Sequence, residues 1–156
     1  MLWKNSFVGE GGGTYNAYCT WRLGDLAGGG IDWSIVMVAK VNETETPDTD
    51  AWSYLTTGDF NGDGIADIAM INDVGTVAVA TMAADGTSSA WTVLSVVDTS
   101  SWNLAGTADL NVDGVDDIIW CQSATEYGSL AGYWQINADE YNHPELTAWQ
   151  NIGWLA

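Results

Sequence analysis

The sequence predicts an all-β protein built from repeated units of four antiparallel strands. A nine-residue acidic motif begins at Asp59 and recurs 50 residues later at Asp109. A tryptophan stands seven residues before each motif, at Trp52 and Trp102, and the segments around the motifs alternate apolar and polar residues. Such alternation is typical of strands with one buried face. Since no segment has a convincing helical period, the repeated element is a set of strands.

The first complete unit begins at Trp52 and places its motif between its first two strands. A short apolar strand follows the motif, a strand that begins at Gly75 comes next, and a fourth strand begins at Trp91. The predicted strands are residues 52–58, 67–70, 75–82 and 91–97.

The next unit repeats this order with a weaker end. Its fourth strand is placed within residues 141–148, where His143 and Pro144 disfavour a central position in a sheet. The predicted strands are residues 102–108, 117–120, 128–134 and this weak segment.

The N-terminal part of the chain contains the same strands but starts at the second one, with strands at residues 2–5, 13–21 and 33–38. Trp149 stands seven residues before the last residue, so residues 149–156 are predicted to form the first strand of a further unit. The chain is thus expected to be one domain in permuted strand order. Its units are residues 1–51, 52–101 and 102–148, with a closing strand at 149–156.

Each acidic motif has the donor pattern of a calcium loop. Ca²⁺ takes six to eight oxygen ligands, and a loop supplies them from alternate side chains and one main-chain carbonyl. A glycine at the sixth position allows a sharp turn. We expect two Ca²⁺ sites, with ligands from Asp59, Asn61, Asp63, the Ile65 carbonyl and Asp67, and from Asp109, Asn111, Asp113, the Val115 carbonyl and Asp117.

The motifs admit two other interpretations. Both motifs end at the ninth position and run directly into apolar strands, so they are not EF-hands. Turns without an ion are the alternative, because Asp, Asn and Gly dominate turns. Three carboxylates within nine residues repel one another unless a cation lies among them, which favours the metal.

The composition excludes several classes of partner. The chain of 156 residues has 3 Lys and Arg against 21 Asp and Glu, a net charge of −18, and is 47% hydrophobic with 10 Trp. This charge opposes binding to nucleic acid or to an anionic membrane. No apolar run is long enough to span a bilayer, and disorder requires a less hydrophobic composition. The composition fits a folded domain that holds divalent cations, or one that lives in salty surroundings.

These motifs resemble the FG-GAP or VCBS family of calcium-binding β-propeller repeats. The likeness rests on Gly58-Asp59-Phe60, the following Asn-Gly-Asp-Gly and the apolar strands after each motif, and it is strongest over residues 52–134. It implies four-stranded, propeller-like blades with the calcium loop between the first and second strands. In that family the repeats serve adhesion domains, lectins and secreted surface proteins, which implies a non-enzymatic module that binds glycans or cell-surface ligands.

Three blades are fewer than propellers usually need to close, and open blade edges invite strand pairing. Residues 149–156 are expected to pair either with residues 2–5 of the same chain or with another chain. The second case gives a homo-oligomeric ring or a filament. A self-assembling structural subunit is therefore the alternative function.

The sequence gives little support for an enzyme. His143 is the only histidine and lies in the weakest segment, and neither cysteine has a sequence neighbour typical of a nucleophilic or zinc site. Trp21, Trp134 and Trp154 lack the full repetition of the other tryptophans. They are candidates for a sugar-binding platform, with ordinary packing as the equal alternative.

Localisation and redox state are expectations of the same kind. A loop of modest ligand count suits millimolar extracellular calcium, so we expect a secreted or cell-surface protein although the N-terminus has no secretion signal. Asn42 begins a formal glycosylation sequon. Cys19 and Cys121 either form a disulfide or are buried free thiols.

Overall fold

A computed structural model describes residues 2–8, 14–22, 32–34, 52–84, 88–122 and 129–155 of the chain. This part of the protein consists of strands and turns and contains no helix, so it also offers no helix that could cross a membrane. Its strands are β1 (Leu2–Val8), β2 (Thr14–Arg22), β3 (Asp32–Ser34), β4 (Trp52–Gly58), β5 (Asp67–Asn72), β6 (Thr76–Met82), β7 (Ser88–Val96), β8 (Trp102–Ala108), β9 (Asp117–Gln122), β10 (Ser129–Ala138) and β11 (Pro144–Leu155).

The strands form antiparallel sheets in which chain neighbours are also sheet neighbours. Two sheets have four strands each, β4-β5-β6-β7 and β8-β9-β10-β11, and are called the middle and C-terminal sheets below. The N-terminal sheet has the described strands β1-β2-β3. The all-β class and the four-stranded antiparallel units predicted over residues 52–97 and from residue 102 onward are confirmed.

The sequence repeat is visible in the strand register. Gly58 pairs with Asp67 in the middle sheet, and Ala108 pairs with Asp117 in the C-terminal sheet. Each first strand also carries a bulge at the same place, at Leu55 in β4 and at the corresponding alanine of β8. The 50-residue spacing therefore reproduces the backbone irregularities as well as the strands.

One apolar core joins the middle and C-terminal sheets. Its buried side chains come from both sheets and from both acidic loops, namely Phe60, Ala69, Val77, Val79, Val97, Val115, Ile118, Trp120, Trp134 and Ile136. Burial of apolar area on this scale is the main stabilising contribution to packing between sheets.

The central strands of the middle sheet are buried on both faces. Ala78 and Ala80 alternate with Val77 and Val79 along β6, and all four are inaccessible to solvent. The face opposite the shared core carries a second apolar cluster of Trp52, Ile68, Met70, Ala78, Ala80 and Met82. Strands buried on both faces read as nearly continuous apolar runs, as β6 does here.

The structure corrects the prediction of a separate closing strand at residues 149–156. Residues 144–155 form the single strand β11, which pairs with β10 from Ala138↔Pro144 to Ser129↔Leu155 across two bulges. The bulges let the chain pass irregular positions without ending the strand. Pro144 begins this edge strand, where a missing N–H is tolerated.

The correction changes the strand order as well. Residues 149–155 complete the C-terminal sheet and do not open a further unit, so this unit extends beyond the predicted limit at residue 148. In the described strands β11 pairs with β10 and β1 pairs with β2, so the first of the two expected pairings, that of 149–156 with residues 2–5, is not formed. The second, pairing with another chain, stays a prediction. The remaining strand expected at residues 33–38 lies partly outside the described residues, and the three-blade arrangement stays a prediction.

Candidate functional site

Both acidic motifs connect the first and second strands of a four-stranded sheet. Loop 1 (residues 59–67) joins β4 to β5, and loop 2 (residues 109–117) joins β8 to β9. Gly64 and Gly114 have φ values of 81° and 90°, the left-handed conformation that the sharp turn was expected to require. The two loops therefore occupy equivalent positions in equivalent sheets.

The first aspartate of each loop organises the turn by accepting backbone N–H groups. In loop 1, Asp59 Oδ1 accepts from Gly62 N at 2.7 Å and Asp63 N at 3.1 Å, and Oδ2 accepts from Gly64 N at 2.7 Å. In loop 2, Asp109 Oδ1 accepts from Asp113 N at 3.1 Å and Oδ2 from Gly114 N at 2.9 Å. Side-chain acceptors of this kind hold a turn without regular secondary structure.

The third and fifth loop positions continue the same network. Asn61 Oδ1 accepts from Asp63 N at 3.2 Å, and Asp63 Oδ1 accepts from Ile65 N at 2.8 Å. The equivalent bonds in loop 2 run from Asp113 N to Asn111 Oδ1 and from Val115 N to Asp113 Oδ1. The side chains expected to be ligands thus share a narrow turn in both loops.

The ninth position fixes each loop to the interior. Asp67 is fully buried; its Oδ2 accepts from Phe60 N at 3.0 Å and its Oδ1 from Met82 N at 2.8 Å. Asp117, also fully buried, makes the equivalent bonds to Leu110 N at 3.1 Å and Ile136 N at 2.9 Å. Both aspartates tie their loop to the third strand of the sheet.

Burial perturbs the last aspartate of each loop. Loss of hydration raises the pKa of Asp67 from 3.8 to about 6, because the hydrogen bonds from Met82 and Phe60 offset only part of the cost, and the charges of Asp63 and Asp59 add to the rise. The pKa of Asp117 is raised by the same causes, burial first.

Residues 51–156 contain no Lys or Arg that could neutralise these carboxylates. All 3 Lys and Arg residues of the chain lie before residue 51. Among the described residues, the ion-pair contact found is His143 Nδ1 to Asp139 Oδ2 at 3.5 Å, in the turn between β10 and β11. The loops therefore concentrate negative charge in a segment of the chain that has no Lys or Arg.

The oxygen atoms of each loop are the donor type that a hard cation prefers. In the structure, however, these side chains are hydrogen-bonded to the backbone of their own loop. Within the described residues no group of three or more His, Cys, Asp or Glu side chains converges as a metal cluster. The carboxylates instead accept the loop's own N–H groups, and Asn61 Nδ2 donates to Asp63 Oδ2 at 3.1 Å. Every predicted donor is nevertheless an oxygen atom, as Ca²⁺ prefers.

The structure also shows contacts between the loops that the sequence reasoning missed. Asp59 N donates to Asp116 Oδ2 at 2.9 Å, and Asp116 N donates to Asp59 O at 2.7 Å. Just before the loops, on the first strands of the two sheets, Thr107 Oγ1 donates to Thr57 O at 2.9 Å. A sequence signal was present, because the eighth loop position is Ala66 in loop 1 and an aspartate in loop 2.

A second missed residue is Asn137 on β10. Its Nδ2 donates to Asp113 Oδ2 at 2.7 Å, and its Oδ1 accepts from Thr147 Oγ1 at 2.8 Å. The register equivalent in the middle sheet is Ala83, one residue after Met82, so loop 1 has no such amide. The two loops are therefore alike in backbone but differ in their outer contacts.

The three candidate tryptophans have different environments. Trp134 is buried, with its ring centroid 5.0 Å from that of Trp120, so its side chain is part of the core and is not an exposed sugar platform. Trp154 on β11 is 62% exposed. The side chain of Trp21 lies outside the described residues. Cys121 is a half-buried free cysteine, and the side chain of Cys19 is also outside them.

The fold and loops define an all-β repeat protein in which an acidic turn links the first two strands of each complete sheet. The family model of the FG-GAP-like repeat matches residues 59–120, from the start of loop 1 to the middle of β9. This stretch is similar to the FG-GAP-like repeat, as the resemblance indicated, and its strands fit a β-propeller-like module. No curated protein and no solved structure matches the chain significantly.

Proposed function

We propose that the protein is a non-enzymatic, extracellular β-propeller-like repeat module whose two acidic loops each hold one Ca²⁺. The observation that carries this proposal is the pair of buried aspartates, Asp67 and Asp117, which close equivalent oxygen-rich loops in a part of the chain without Lys or Arg. A bound cation would supply the missing positive charge.

Calcium would act on stability in this proposal. Asp59, Asn61, Asp63 and Asp67 would contribute side-chain oxygens in loop 1, with the Ile65 carbonyl, and their counterparts would do so in loop 2. A cation at tenfold its dissociation constant stabilises the folded state by about 1.4 kcal/mol per site. Because small domains are stable by only about 5–15 kcal/mol, two sites are a substantial fraction.

The calcium proposal is tested by melting the protein with millimolar calcium and again with chelator. Asp63→Ala and Asp113→Ala should each lower Tm in calcium and change it little in chelator. Asp73→Ala, an exposed acid in the β5–β6 turn, is the matched control and should melt like the parent in both buffers. Equal losses in both buffers for the loop variants would refute metal binding.

The ligand of the module is proposed to be a glycan or another cell-surface group. Trp154 offers an exposed indole on β11, and Trp149, 39% exposed on the same strand, donates from Nε1 to Asn151 Oδ1 at 3.0 Å. Exposed aromatic faces beside amides suit the apolar faces and hydroxyls of sugar rings. Binding to a glycan array by the parent but not by Trp154→Ala would support this ligand class.

Self-assembly is the second candidate, and the form of β11 favours it. This strand is 12 residues long, lies at the edge of the C-terminal sheet and exposes 52% of Ile152. Long apolar edges are templates for pairing with another chain. Light scattering tests the second candidate, since a molar mass that grows with protein concentration supports self-assembly. A constant monomer mass together with glycan binding on the array supports the first.

A further inference from the structure

We propose that Asp116 couples the two acidic loops, so that a divalent cation bound in one loop raises the affinity of the other. This inference rests on the proposed calcium sites and adds a property that neither loop has alone. It follows from the direct hydrogen bonds between Asp59 in loop 1 and Asp116 in loop 2, since the two loops connect strands of different sheets.

The geometry makes Asp116 a positioning residue for loop 1. Its Oδ2 accepts the N–H of Asp59 at 2.9 Å, while its own N–H donates to Asp59 O at 2.7 Å. The carboxylate of Asp59 accepts three backbone N–H groups of loop 1, those of residues 62, 63 and 64. The backbone of the first loop-1 position is therefore held on both sides by one residue of loop 2.

The same residue is tied to loop 2 through its neighbours. Asp117, the next residue, is buried and closes loop 2 by accepting from Leu110 N. Val115, the preceding residue, is in the core shared by the two sheets. An ordering of loop 2 that shifts or fixes residues 115–117 is thus transmitted to Asp59 by two hydrogen bonds, one from the Asp116 backbone N–H and one to its carboxylate.

Gly58 allows this close approach. A Cβ atom at this position would lie 3.0 Å from Asp116 Oδ2 and 3.1 Å from Asp116 Cβ. Contacts at these distances force a neighbour to move. The contact is also directional, because loop 1 has Ala66 at the position of Asp116 and cannot provide the same acceptor to another loop.

Coupling between sites is a free energy that a binding cycle measures. Calcium binding is followed by calorimetry for the parent, for Asp63→Ala, which disables loop 1, and for Asp113→Ala, which disables loop 2. The overall two-site constant of the parent should exceed the product of the two single-site constants by at least about fivefold.

The same cycle in an Asp116→Ala background identifies the residue responsible. There the ratio should fall toward one, because only the backbone bond from Asp116 N to Asp59 O remains, and it should also fall with Gly58→Ala. Asp116→Asn should retain the coupling because its Oδ1 can still accept the N–H of Asp59. A ratio near one in the parent, or an unchanged ratio in Asp116→Ala, overturns the inference while leaving calcium binding intact. No binding heat in any variant overturns the proposed function and this inference together.

Discussion

Asp67 Oδ1 accepts the N–H of Met82 at 2.8 Å, where β5 begins beside the end of β6, 15 residues further along the chain. The same carboxylate accepts the N–H of Phe60 within loop 1. One buried side chain thus connects the acidic loop, the second strand and the end of the third strand. Asp117 makes the corresponding connection in the C-terminal sheet through Ile136.

Replacing Asp67 with Ala should destabilise the protein strongly even in chelator. The change leaves the buried N–H groups of Phe60 and Met82 without an acceptor, and each unsatisfied group costs about 1–3 kcal/mol. We expect a loss of about 2–4 kcal/mol in urea unfolding. Asp73→Ala should change stability by less than about 0.5 kcal/mol, and a similar small effect for Asp67→Ala would contradict the role of this carboxylate.

The raised pKa of Asp67 predicts a pH dependence of stability in chelator. Because the folded-state pKa, about 6, lies above the ordinary value of 3.8, the folded state binds this proton more tightly than the unfolded state does. The resulting stabilisation is complete below about pH 3.8 and is lost as the pH rises through about 6. The free energy of unfolding should therefore fall over this range.

Asp67→Asn isolates this contribution from the general repulsion in a chain of net charge −18. The parent should lose more stability between pH 4 and pH 6.5 than the Asn variant does. Two other aspartates have lowered pKa values because they accept hydrogen bonds, Asp98 chiefly from Ser100 and Asp139 chiefly from the His143 N–H. Their effect on stability changes below about pH 3.8, outside this window. Identical slopes for parent and variant would show that Asp67 does not titrate as described.

Replacing Val112 in loop 2 with glycine should stabilise the protein. Its φ is 60°, a conformation that is strained for a β-branched residue, and its side chain is 87% exposed, so little packing is lost. The equivalent residue of loop 1 is already Gly62. Val112→Gly should raise stability by about 1 kcal/mol.

Val74 provides the matched control for this change. It is another exposed valine in a turn, 70% accessible, and its φ is not positive. Val74→Gly should be neutral or lower stability by about 0.5–1 kcal/mol, because glycine increases the freedom of the unfolded chain. Equal effects of the two substitutions, measured by thermal unfolding, would argue against strain at Val112.

Gly132 should not tolerate a side chain. A Cβ atom there would overlap Trp149 Cζ2 and lie 2.7 Å from Gln150 O. Gly132→Ala should therefore displace β11 from β10 and cost about 1–3 kcal/mol. The Trp102–Trp149 ring contact, with centroids 4.9 Å apart, should weaken at the same time. Unchanged stability and near-ultraviolet circular dichroism would refute this packing.

Much of this architecture is predictable because it follows from local pattern. The strands around the loops, the position of each loop between first and second strands, and the turn glycines Gly64 and Gly114 all agree with period-two alternation and turn chemistry. These features repeat at a spacing of 50 residues, so each copy supports the other. The metal at the loops remains a prediction.

The parts that sequence reasoning missed depend on contacts between elements. Trp149 was assigned to a new unit because of its spacing, but its ring lies against Trp102 of the same sheet, and bulges carry the strand past it. Asp116 and Asn137 reach other strands or loops, which no local pattern reveals. For Trp134 the missing repetition left a sugar platform and ordinary packing as equal alternatives, and its burial in the core agrees with packing.

The stoichiometry of calcium binding to the intact chain, measured by isothermal titration calorimetry after exhaustive chelation, decides whether both acidic loops hold the ion. We expect two Ca²⁺ per chain, falling to one in Asp63→Ala and in Asp113→Ala and to none in the double variant. Absence of calcium binding by the parent, or a stoichiometry that these substitutions leave unchanged, would contradict the central claim that the paired acidic loops are calcium sites.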